Sequence, residues 1–459
     1  MAKHSKLHVV MFPWLAFGHI IPFFELSKFI AQKGHKISFV STPRIIDRLP
    51  KIPSHLASLI TLVKIPLPRV EGLPESAEAT IDIKNEDMDH LKKAFDGLET
   101  ELTRFLEDSV PDWIIYDFAP HWLPPVAARF GISRAFFLIF NAWFLAFFGP
   151  TETMINGFDE RTKAEDFMIP PKFVQFETKV AYRRYEANWI VGANHKNNSG
   201  FSDFYRAGMV IDGSEVIIAR HCNEFESDWL KLLEELHHRP VIPLGLMPPQ
   251  VEENDNESWV SIKTWLDNQN KGGVVYVALG SELTPSQDQL NELALGLELS
   301  GVPFFWALRK PSGLGESYSV VLPDGFEERI KGRGMVWKSW APQLKILSHA
   351  SVGAFLTHCG WSSFIEGLSF GHPLIALPFL VDQGLNARVI AHNKVGIEIS
   401  RNDEDGSYTK NSVSDSIKLI MDENEGKTFR EKAKEMSAIF GEKELHGRYI
   451  ENFIKFLEN

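Results

Sequence analysis

Short apolar runs alternate with longer amphipathic stretches along most of the chain. The first run, residues 7–12, precedes a helical periodicity over residues 20–33, which Gly34 closes at the C-cap position. A second helical pattern covers residues 88–106. Further apolar runs of strand length in this half are residues 37–41, 59–65, 113–116 and 135–140. Strands that alternate with helices predict an α/β fold with parallel sheets covered by helices on both faces.

The same alternation of apolar runs and helical patterns repeats in the second half of the chain, after a linker. Pro248 and Pro249 precede the acidic stretch 252–257, a composition typical of a domain boundary. Beyond it, Thr284-Pro285-Ser286-Gln287 predicts a helix start with Thr284 as N-cap and Gln287 in a capping box. Apolar runs predict strands at residues 274–279, 304–308, 352–357, 374–377 and 396–399. We therefore expect two domains, residues 1–247 and 248–441, while residues 151–208 have too weak a periodicity to assign.

Composition and charge exclude several classes of protein. With 459 residues and 44% hydrophobic residues the chain can build two packed cores, and its net charge of −12 disfavours nucleic acid and anionic membranes as partners. Two cysteines, Cys222 and Cys359, cannot form a disulfide framework or a four-thiolate zinc site, which fits a reducing, cytoplasmic location. The apolar stretch 135–148 is shorter than the roughly 20 residues of a spanning helix, so we expect no integral membrane segment.

The densest candidate chemistry lies in residues 340–383, WAPQLKILSHASVGAFLTHCGWSSFIEGLSFGHPLIALPFLVDQ. Trp340 offers a flat face on which a base could stack, although a core aromatic is an equally good interpretation of a lone tryptophan. Residues 357–363 run from the end of a strand into the start of a helix. Backbone N–H groups and the helix dipole at such a start attract an anion, and a diphosphate would fit there.

A second constellation joins His19 and Asp117. His19 lies at the turn from the first strand into a helix, where the helix dipole disfavours the protonated imidazole and leaves a ring able to accept a proton. Asp117 follows the strand at 113–116, and parallel strands deliver their carboxyl ends to the same edge of a sheet. A general base oriented by a carboxylate is one interpretation. A packing histidine and a strand-end turn residue are the alternatives.

The 340–383 segment resembles the signature box of the plant family-1 UDP-sugar-dependent glycosyltransferases, with Trp, Pro-Gln, His-Cys-Gly-Trp, Glu, Gly-x-Pro and Asp-Gln in register. The resemblance extends over the whole chain. It implies a GT-B fold of two Rossmann-like, doubly wound domains facing across a cleft, with the acceptor in the first domain and the UDP-sugar in the second. It also implies that a helix over about residues 442–459 packs back on the first domain.

The resemblance further implies a role for individual residues of this sequence. Trp340 and the Ala341 backbone would contact uracil, and Gln343 and Glu366 the ribose. His358, Ser363 and Ser281, with the helix start at Gly360 and Ser362, would hold the diphosphate. Trp361, Asp382 and Gln383 would hold the sugar. His19 and Asp117 would be the catalytic pair of an inverting transferase that needs no metal and no cofactor, since UDP-sugar is a co-substrate.

Four features concern specificity. Ser362 stands where the family usually has Asn, so a shorter hydroxyl group replaces an amide near the phosphates. Gln383 fits a glucosyl donor, with UDP-rhamnose among the alternatives. Similarity at residues 13–19, 278–282 and 296–301 to the branch-forming group suggests transfer onto the sugar of a flavonoid or terpenoid glycoside. An apolar acceptor pocket is expected from aromatic residues near the pair, Phe17, Phe118, Trp143, Phe144 and Phe379, together with Gly18.

Alternative functions remain open at this point. An enzyme of the same class that glycosylates bare aglycones would share every motif above, and a non-catalytic nucleotide-sugar or glycoside-binding protein would share the box. A glycosidase needs two carboxylates flanking the bond, and no such pair can be nominated. A monomer is expected, with a UDP-sugar and a small glycoside as its partners.

Overall fold

The contacts within the structure, a computed structural model, divide the chain into two compact units. The structure describes residues 6–248, 250–251, 257–280, 283, 285–309 and 321–459. The first unit comprises the described residues through Thr162 together with Val191–Met247 and Glu444–Asn459, and the second comprises Lys163–Ile190 and the described residues of Pro248–Lys443. The boundary at Met247 is the one expected from sequence. Residues 163–190 instead belong to the second unit, whereas the sequence analysis placed them in the first.

Strands and helices alternate in both units. The strands are β1 (His8–Phe12), β2 (Lys36–Ser41), β3 (Ile60–Lys64), β4 (Trp113–Tyr116), β5 (Ser133–Leu138), β6 (Val216–Ala219), β7 (Val241–Pro243), β8 (Val274–Ala278), β9 (Phe304–Ala307), β10 (Gly334–Trp337), β11 (Val352–Thr357), β12 (Leu374–Ala376) and β13 (Gly396–Glu398).

The helices follow the same order along the chain. They are α1 (Phe17–Gln32), α2 (Pro43–Arg48), α3 (Met88–Asp96), α4 (Glu99–Ser109), α5 (Leu123–Arg129), α6 (Ala142–Phe148), α7 (Thr151–Asn156), α8 (Arg184–Ala193), α9 (Asp203–Asp212), α10 (Ser227–His237), α11 (Glu257–Asp267), α12 (Gln287–Ser300), α13 (Phe326–Arg329), α14 (Gln343–Leu347), α15 (Trp361–Ser369), α16 (Gln383–His392), α17 (Lys410–Met421), α18 (Lys427–Phe440) and α19 (Lys443–Leu457).

The sheet of the first unit is parallel throughout, with the strand order β3-β2-β1-β4-β5-β6-β7. Its central strand β1 is almost entirely buried, since Val9, Val10 and Met11 have no exposed surface. Such a continuous apolar run is typical of a strand covered on both faces. The order reverses between β1 and β4, which pair with Phe12 opposite Tyr116. The loops that follow these two strands therefore leave the same edge of the sheet at the point where ligands bind in doubly wound folds.

The second unit has a six-stranded parallel sheet in the order β10-β9-β8-β11-β12-β13. The order reverses between β8 and β11, where Ala278 pairs with Thr357. Gly280 and His358 follow these strands at the same edge of the sheet. Both units are therefore doubly wound α/β sheets, as the alternation of apolar runs predicts.

Sequence periodicity located most strands to within two residues but misjudged several elements. The predicted helix 88–106 is two helices, α3 and α4, separated at Gly97 and Leu98. The N-cap of α12 is Ser286 and its capping-box residue is Gln289, two residues beyond the prediction, because each of their side chains accepts the other's backbone N–H. Thr284 lies outside the described residues. The short strands β6, β7 and β10 were not predicted.

The helix implied near the C-terminus corresponds to α19, which packs within the first unit. The indole of Trp113 donates to the Leu457 carbonyl oxygen at 3.1 Å, and the Leu246 N–H donates to Nδ1 of His446 at 3.1 Å. Gly245 leaves room for this histidine, because a Cβ there would lie 2.8 Å from Nδ1 of His446. The chain end is thus fixed within the first unit by contacts near β4 and after β7.

The capping box predicts a measurable loss of stability in Ser286→Ala. Removing the hydroxyl leaves the Gln289 N–H without its acceptor, and we expect a loss of about 1 kcal/mol of unfolding free energy in urea titrations. Ser261→Ala is the control, since that exposed serine lies inside α11 and its hydroxyl donates to the Glu257 carbonyl oxygen of the same helix. An equal loss in both variants would contradict a specific capping role.

Candidate active site

The imidazole of His19 and the carboxylate of Asp117 form a buried pair at the reversal point of the first sheet. His19 is the third residue of α1, and its Nδ1 lies 2.8 Å from Oδ2 of Asp117. Both residues are buried: His19 has 8% of its surface exposed and Asp117 has 1%. A carboxylate only accepts hydrogen bonds, so Nδ1 carries the proton and Nε2 keeps the lone pair. That tautomer is the one a general base requires.

Backbone donors fix the carboxylate of Asp117. Its Oδ2 also accepts the Trp14 N–H at 3.0 Å, and its Oδ1 accepts the Phe118 N–H at 2.8 Å. Three hydrogen-bond donors therefore converge on this one buried carboxylate. The loops after β1 and β4 are joined through this single side chain.

Aromatic rings surround the imidazole. The ring centroid of Phe118 lies 5.7 Å from that of His19, and Phe140 meets the imidazole edge-on at 5.0 Å. Phe140 was not singled out from sequence, although it ends the predicted strand at 135–140. Phe17 and Gly18, in the first turn of α1, are half-buried and exposed, respectively.

The other predicted acceptor residues lie farther from the imidazole or in the other unit. Trp143 is fully buried against His221 and Phe225, so its ring is part of the core rather than a pocket wall. Phe144 packs on Phe140, with ring centroids 4.7 Å apart, and thereby supports a ring that touches His19. Phe379 belongs to the second unit.

In the second unit, His358 occupies the reversal point of the sheet. A Cβ added at Gly280 or at Gly360 would lie 2.7 Å from its Nε2, so the imidazole fills the space that these two glycines leave open. Gly280 also has a positive φ of 79°, which favours glycine. Burial lowers the pKa of His358 to about 4, and the ring is therefore neutral at physiological pH.

The first turn of α15 contains Trp361, Ser362 and Ser363, with Gly360 as N-cap. Trp361 and Ser363 are buried, while Ser362 is half-buried. Preceding them, Cys359 adopts a left-handed backbone with φ of 66°, and the Thr357 hydroxyl accepts its N–H at 3.2 Å. The turn thus aims the positive end of a helix dipole at the carboxyl edge of the sheet.

Trp340 is strongly exposed, with 66% of its surface accessible, whereas Ala341 is buried. The indole of Trp337 holds the turn by donating to the Trp340 carbonyl oxygen at 3.0 Å. The Arg309 guanidinium lies 5.0 Å from the centre of the Trp340 ring, a contact that the sequence analysis did not anticipate. A core role for Trp340 is excluded by this exposure.

Gln343 and Glu366 are brought together by the structure. The Gln343 amide donates to a carboxylate oxygen of Glu366, and its carbonyl oxygen accepts the Tyr276 hydroxyl at 3.0 Å. Tyr276 is in β8 and is buried, and its role as a support for Gln343 was missed from sequence. Gln343 is the first residue of α14, and Glu366 lies in α15, so the pair joins these two helices.

Asp382 and Gln383 lie at the start of α16 and are fixed from within the unit. The Gln383 side-chain oxygen accepts the Phe379 and Leu380 N–H groups at 2.9 and 3.0 Å. Asn386, fully buried and missed from sequence, donates to Oδ2 of Asp382 and to the Cys359 carbonyl oxygen, both at 2.8 Å. Asn386 therefore connects Asp382 to the His-Cys-Gly-Trp turn. The sequence offered one signal for this role, since Asn386 is four residues after Asp382 and therefore lies on the same face of the helix.

Ser281, the remaining predicted donor residue, lies outside the described residues. Within the part of the chain that the structure describes, no three His, Cys, Asp or Glu side chains come together as a metal site.

Comparisons with known proteins identify the family. The chain is 54% identical over 456 residues to UDP-glycosyltransferase 91D2 of Stevia rebaudiana, which covers 99% of this chain and 95% of the relative. The chain belongs to the plant UDP-glycosyltransferases. Residues 253–446 match the family described as UDP-glucoronosyl and UDP-glucosyl transferase.

Two more distant relatives match this glycosyltransferase over nearly its full length. Soyasaponin III rhamnosyltransferase of Glycine max is 42% identical, covering 100% of this chain and 96% of the relative. Anthocyanidin-3-O-glucoside rhamnosyltransferase of Petunia hybrida is 32% identical, covering 98% and 96%. Among solved structures, Medicago truncatula UGT71G1 complexed with UDP-glucose superposes with a TM-score of 0.78 at 22% identity, covering 100% and 99% of the two chains. The glycosyltransferase therefore has the GT-B fold.

Membership in this family makes the protein a transferase that moves a sugar from a UDP-sugar. Among its described helices, none combines the length and apolarity needed to cross a bilayer.

The low pKa of His358 gives a pH prediction. Its ring resonances should stay those of a neutral imidazole from pH 8 to pH 5 and shift only as pH approaches about 4, as followed by NMR with His358→Gln for assignment. Because the pKa in the folded protein lies below the ordinary 6.5, the contribution to stability is complete above pH 6.5 and is lost as pH falls towards 4. The urea-unfolded protein is the control. Titration of the folded resonance near pH 6.5 would contradict the buried placement.

Proposed function

We propose that this glycosyltransferase transfers glucose from UDP-glucose to a sugar hydroxyl of a small plant glycoside, a terpenoid or a flavonoid, with inversion at the anomeric carbon. The observation that carries the mechanism is the buried hydrogen bond of 2.8 Å between Nδ1 of His19 and Asp117. In the proposed reaction Nε2 of His19 takes the proton from the acceptor hydroxyl. The oxygen then attacks the anomeric carbon while UDP leaves with the bonding electron pair.

The carboxylate of Asp117 stabilises the imidazolium that this proton transfer creates. It is held by the Trp14 and Phe118 N–H groups, so it does not need to move when the imidazole becomes charged. Preorganised charge of this kind lowers the barrier because no solvent reorganisation accompanies the step. Asp117 is therefore proposed to hold the tautomer and to stabilise the cation.

The second unit is proposed to bind the donor. The exposed ring of Trp340, with the Ala341 backbone, receives uracil, and Gln343 with Glu366 binds the ribose hydroxyls. The diphosphate is proposed to lie at the start of α15, near His358, Gly360, Ser362 and Ser363, with Ser281 as a further contact. The helix dipole there stabilises the negative charge that develops on departing UDP. No metal or other cofactor is included in this proposal.

Trp361, Asp382 and Gln383 are proposed to hold the transferred sugar. Support for the placement is that Asn386 ties Asp382 to the turn before Trp361 by hydrogen bonds of 2.8 Å. Glucose is the proposed sugar because the box ends in Gln383. UDP-rhamnose is the alternative donor, because two of the relatives reported above are named as rhamnosyltransferases.

A glycoside acceptor is proposed on the basis of the branch-forming motifs and the Petunia relative, whose name specifies an anthocyanidin glucoside as its substrate. Phe17, Gly18, Phe118 and Phe140 are proposed to line the acceptor site beside His19. We further propose a cytoplasmic monomer, because the chain is acidic and has only two cysteines, both buried.

Substitutions of the pair test the mechanism. His19→Ala removes the base and should lower kcat by about 10²- to 10⁴-fold. Asp117→Asn should also lower kcat strongly, since an amide group facing Nδ1 favours the wrong tautomer. UDP affinity, measured by calorimetry, should stay near wild type in both. Asp112→Asn is the matched control, because Asp112 precedes β4 at the opposite end of the sheet and accepts the His8 N–H there. Unchanged turnover in both site variants would refute the assigned pair.

The acceptor is tested with paired substrates. We expect UDP-glucose and a flavonoid or diterpenoid monoglucoside to give a diglucoside, detected by mass spectrometry with fragmentation, at a higher kcat/KM than the matching aglycone. A hexose appearing only on the bare aglycone would overturn the glycoside assignment. Product formation only with UDP-rhamnose would overturn the choice of glucose.

A further inference from the structure

Residues 163–190 pack within the second unit against the loop that precedes α16. The carboxylate of Glu186 lies over the first turn of that helix, where a Cβ added at Gly384 would meet its oxygens at 2.4 to 2.5 Å. Oε2 of Glu186 accepts hydrogen bonds from Nη2 of Arg388 at 2.6 Å and from the Arg183 N–H at 2.9 Å. Gly384 is therefore required by the position of Glu186.

A second group of contacts fixes Tyr185. The Arg401 guanidinium lies 5.4 Å from the Tyr185 ring centre, 4.8 Å from that of Phe379 and 5.2 Å from that of Tyr408. A Cβ at Gly406 would lie 2.6 Å from the Tyr185 ring, so this glycine also leaves room for the segment. The start of α8 is thus held rigidly against residues 379–384.

These two surfaces enclose a small cavity of about 50 Å³. Tyr185, Glu186 and Trp189 line it from α8, and residues 379–381 with Gly384 line it from the loop. The same loop continues into Asp382 and Gln383, the residues proposed to hold the transferred sugar. The cavity has room for a few non-hydrogen atoms, such as a hydroxyl or hydroxymethyl group, and is too small for the rings of an aglycone.

Two buried polar atoms of the lining residues have no hydrogen-bond partner in the described structure. They are the Tyr185 hydroxyl and Oε1 of Glu186, whose side chain is 9% exposed. Leaving such groups unpaired is energetically costly, and native proteins rarely keep one without a ligand or an ordered water. The two are chemically complementary to one hydroxyl group, which can accept from the phenol and donate to the carboxylate.

Protonation supports this pairing. Burial, followed by the neighbouring Glu186 carboxylate, raises the pKa of Tyr185 above its usual value. The phenol therefore stays protonated at neutral pH and keeps its hydrogen for donation, while the other carboxylate oxygen of Glu186, Oε2, already accepts a hydrogen bond from Arg388. Aromatic walls with a few convergent polar groups are the composition of a small-ligand site.

We propose that Tyr185, Glu186 and Trp189, with Phe379, form a subsite that binds a hydroxyl-bearing edge of a sugar ring during transfer. This inference rests on the proposed function, since a sugar must reach the loop that contains Asp382 and Gln383. The sugar is either the glucose of the donor or the sugar already attached to the acceptor. Residues 163–190 would thereby help to determine which sugar the enzyme accepts, although the rest of their unit is formed by the second half of the chain.

The test is Tyr185→Phe in the full-length enzyme. This substitution removes only an unpaired hydroxyl, so the melting temperature should be unchanged or slightly higher, while the KM of one substrate rises by about 3- to 10-fold, the effect of one lost hydrogen bond. KM values are measured for UDP-glucose, for UDP-xylose, which lacks the hydroxymethyl group, for a monoglucoside and for its aglycone. Tyr408→Phe is the matched control.

Tyr408 presents its ring to the same Arg401 but donates its hydroxyl to the Gln289 carbonyl oxygen at 2.9 Å. Its variant should lose thermal stability and keep all four KM values. In Tyr185→Phe, a higher KM for UDP-glucose but not UDP-xylose supports the donor sugar as ligand, and a higher KM for the monoglucoside but not the aglycone supports the acceptor sugar.

Unchanged KM values for every substrate in Tyr185→Phe would overturn the subsite and leave an ordered water as the occupant. That result differs from failure of the proposed function, which would appear as the absence of any glucosyl product from the wild-type enzyme. Loss of stability in Tyr185→Phe as large as in Tyr408→Phe would also count against the proposal, because it would show that the hydroxyl has a protein partner.

Discussion

The reversal of strand order at the centre of each parallel sheet determines where the chemistry of this protein can lie. β1 and β4 end side by side, and the loops after them diverge, which leaves a gap at the carboxyl edge of the first sheet. β8 and β11 do the same in the second sheet. His19 and Asp117 follow the first pair of strands, and Gly280 and His358 follow the second. The residues proposed for catalysis and donor binding thus lie close behind these strand ends, Asp117 and His358 directly after a strand and His19 in the first turn of α1.

At these positions backbone geometry and side-chain chemistry depend on each other. The Asp117 carboxylate joins two loops by accepting three hydrogen bonds, and its position is therefore fixed before any substrate arrives. In the second unit the two glycines beside His358 leave a space that its neutral imidazole fills. Asn386 performs a similar connecting role between Asp382 and the turn at Cys359. Preorganisation in both units comes from short polar contacts that packing keeps in place.

The segment 163–190 shows how a connection in the first half of the sequence can become part of the second unit. Its charged residues pair within that unit, as Arg183 does with Glu398 at 2.9 Å, and Gly384 and Gly406 leave space for its side chains. Within residues 163–190 the weak periodicity fits this arrangement, because side chains that pack on another part of the chain need not form a regular apolar stripe. Sequence periodicity reveals a helix or strand that turns one regular apolar face towards a core, and it does not reveal contacts made by scattered side chains.

The α/β class, the positions of the inner strands and the identity of the 340–383 box could be predicted from the sequence, because buried parallel strands are continuous apolar runs and the box residues have fixed spacing. The sequence also placed His19 at the turn from the first strand into a helix and Asp117 just after the strand at 113–116. Tertiary structure alone decided that Trp143 is core while Phe140 touches the imidazole, that Tyr276 and Asn386 support the box, and that Tyr185 and Glu186 adjoin Gly384. Such contacts join residues far apart in sequence, and their formation depends on packing in three dimensions, which local patterns do not encode.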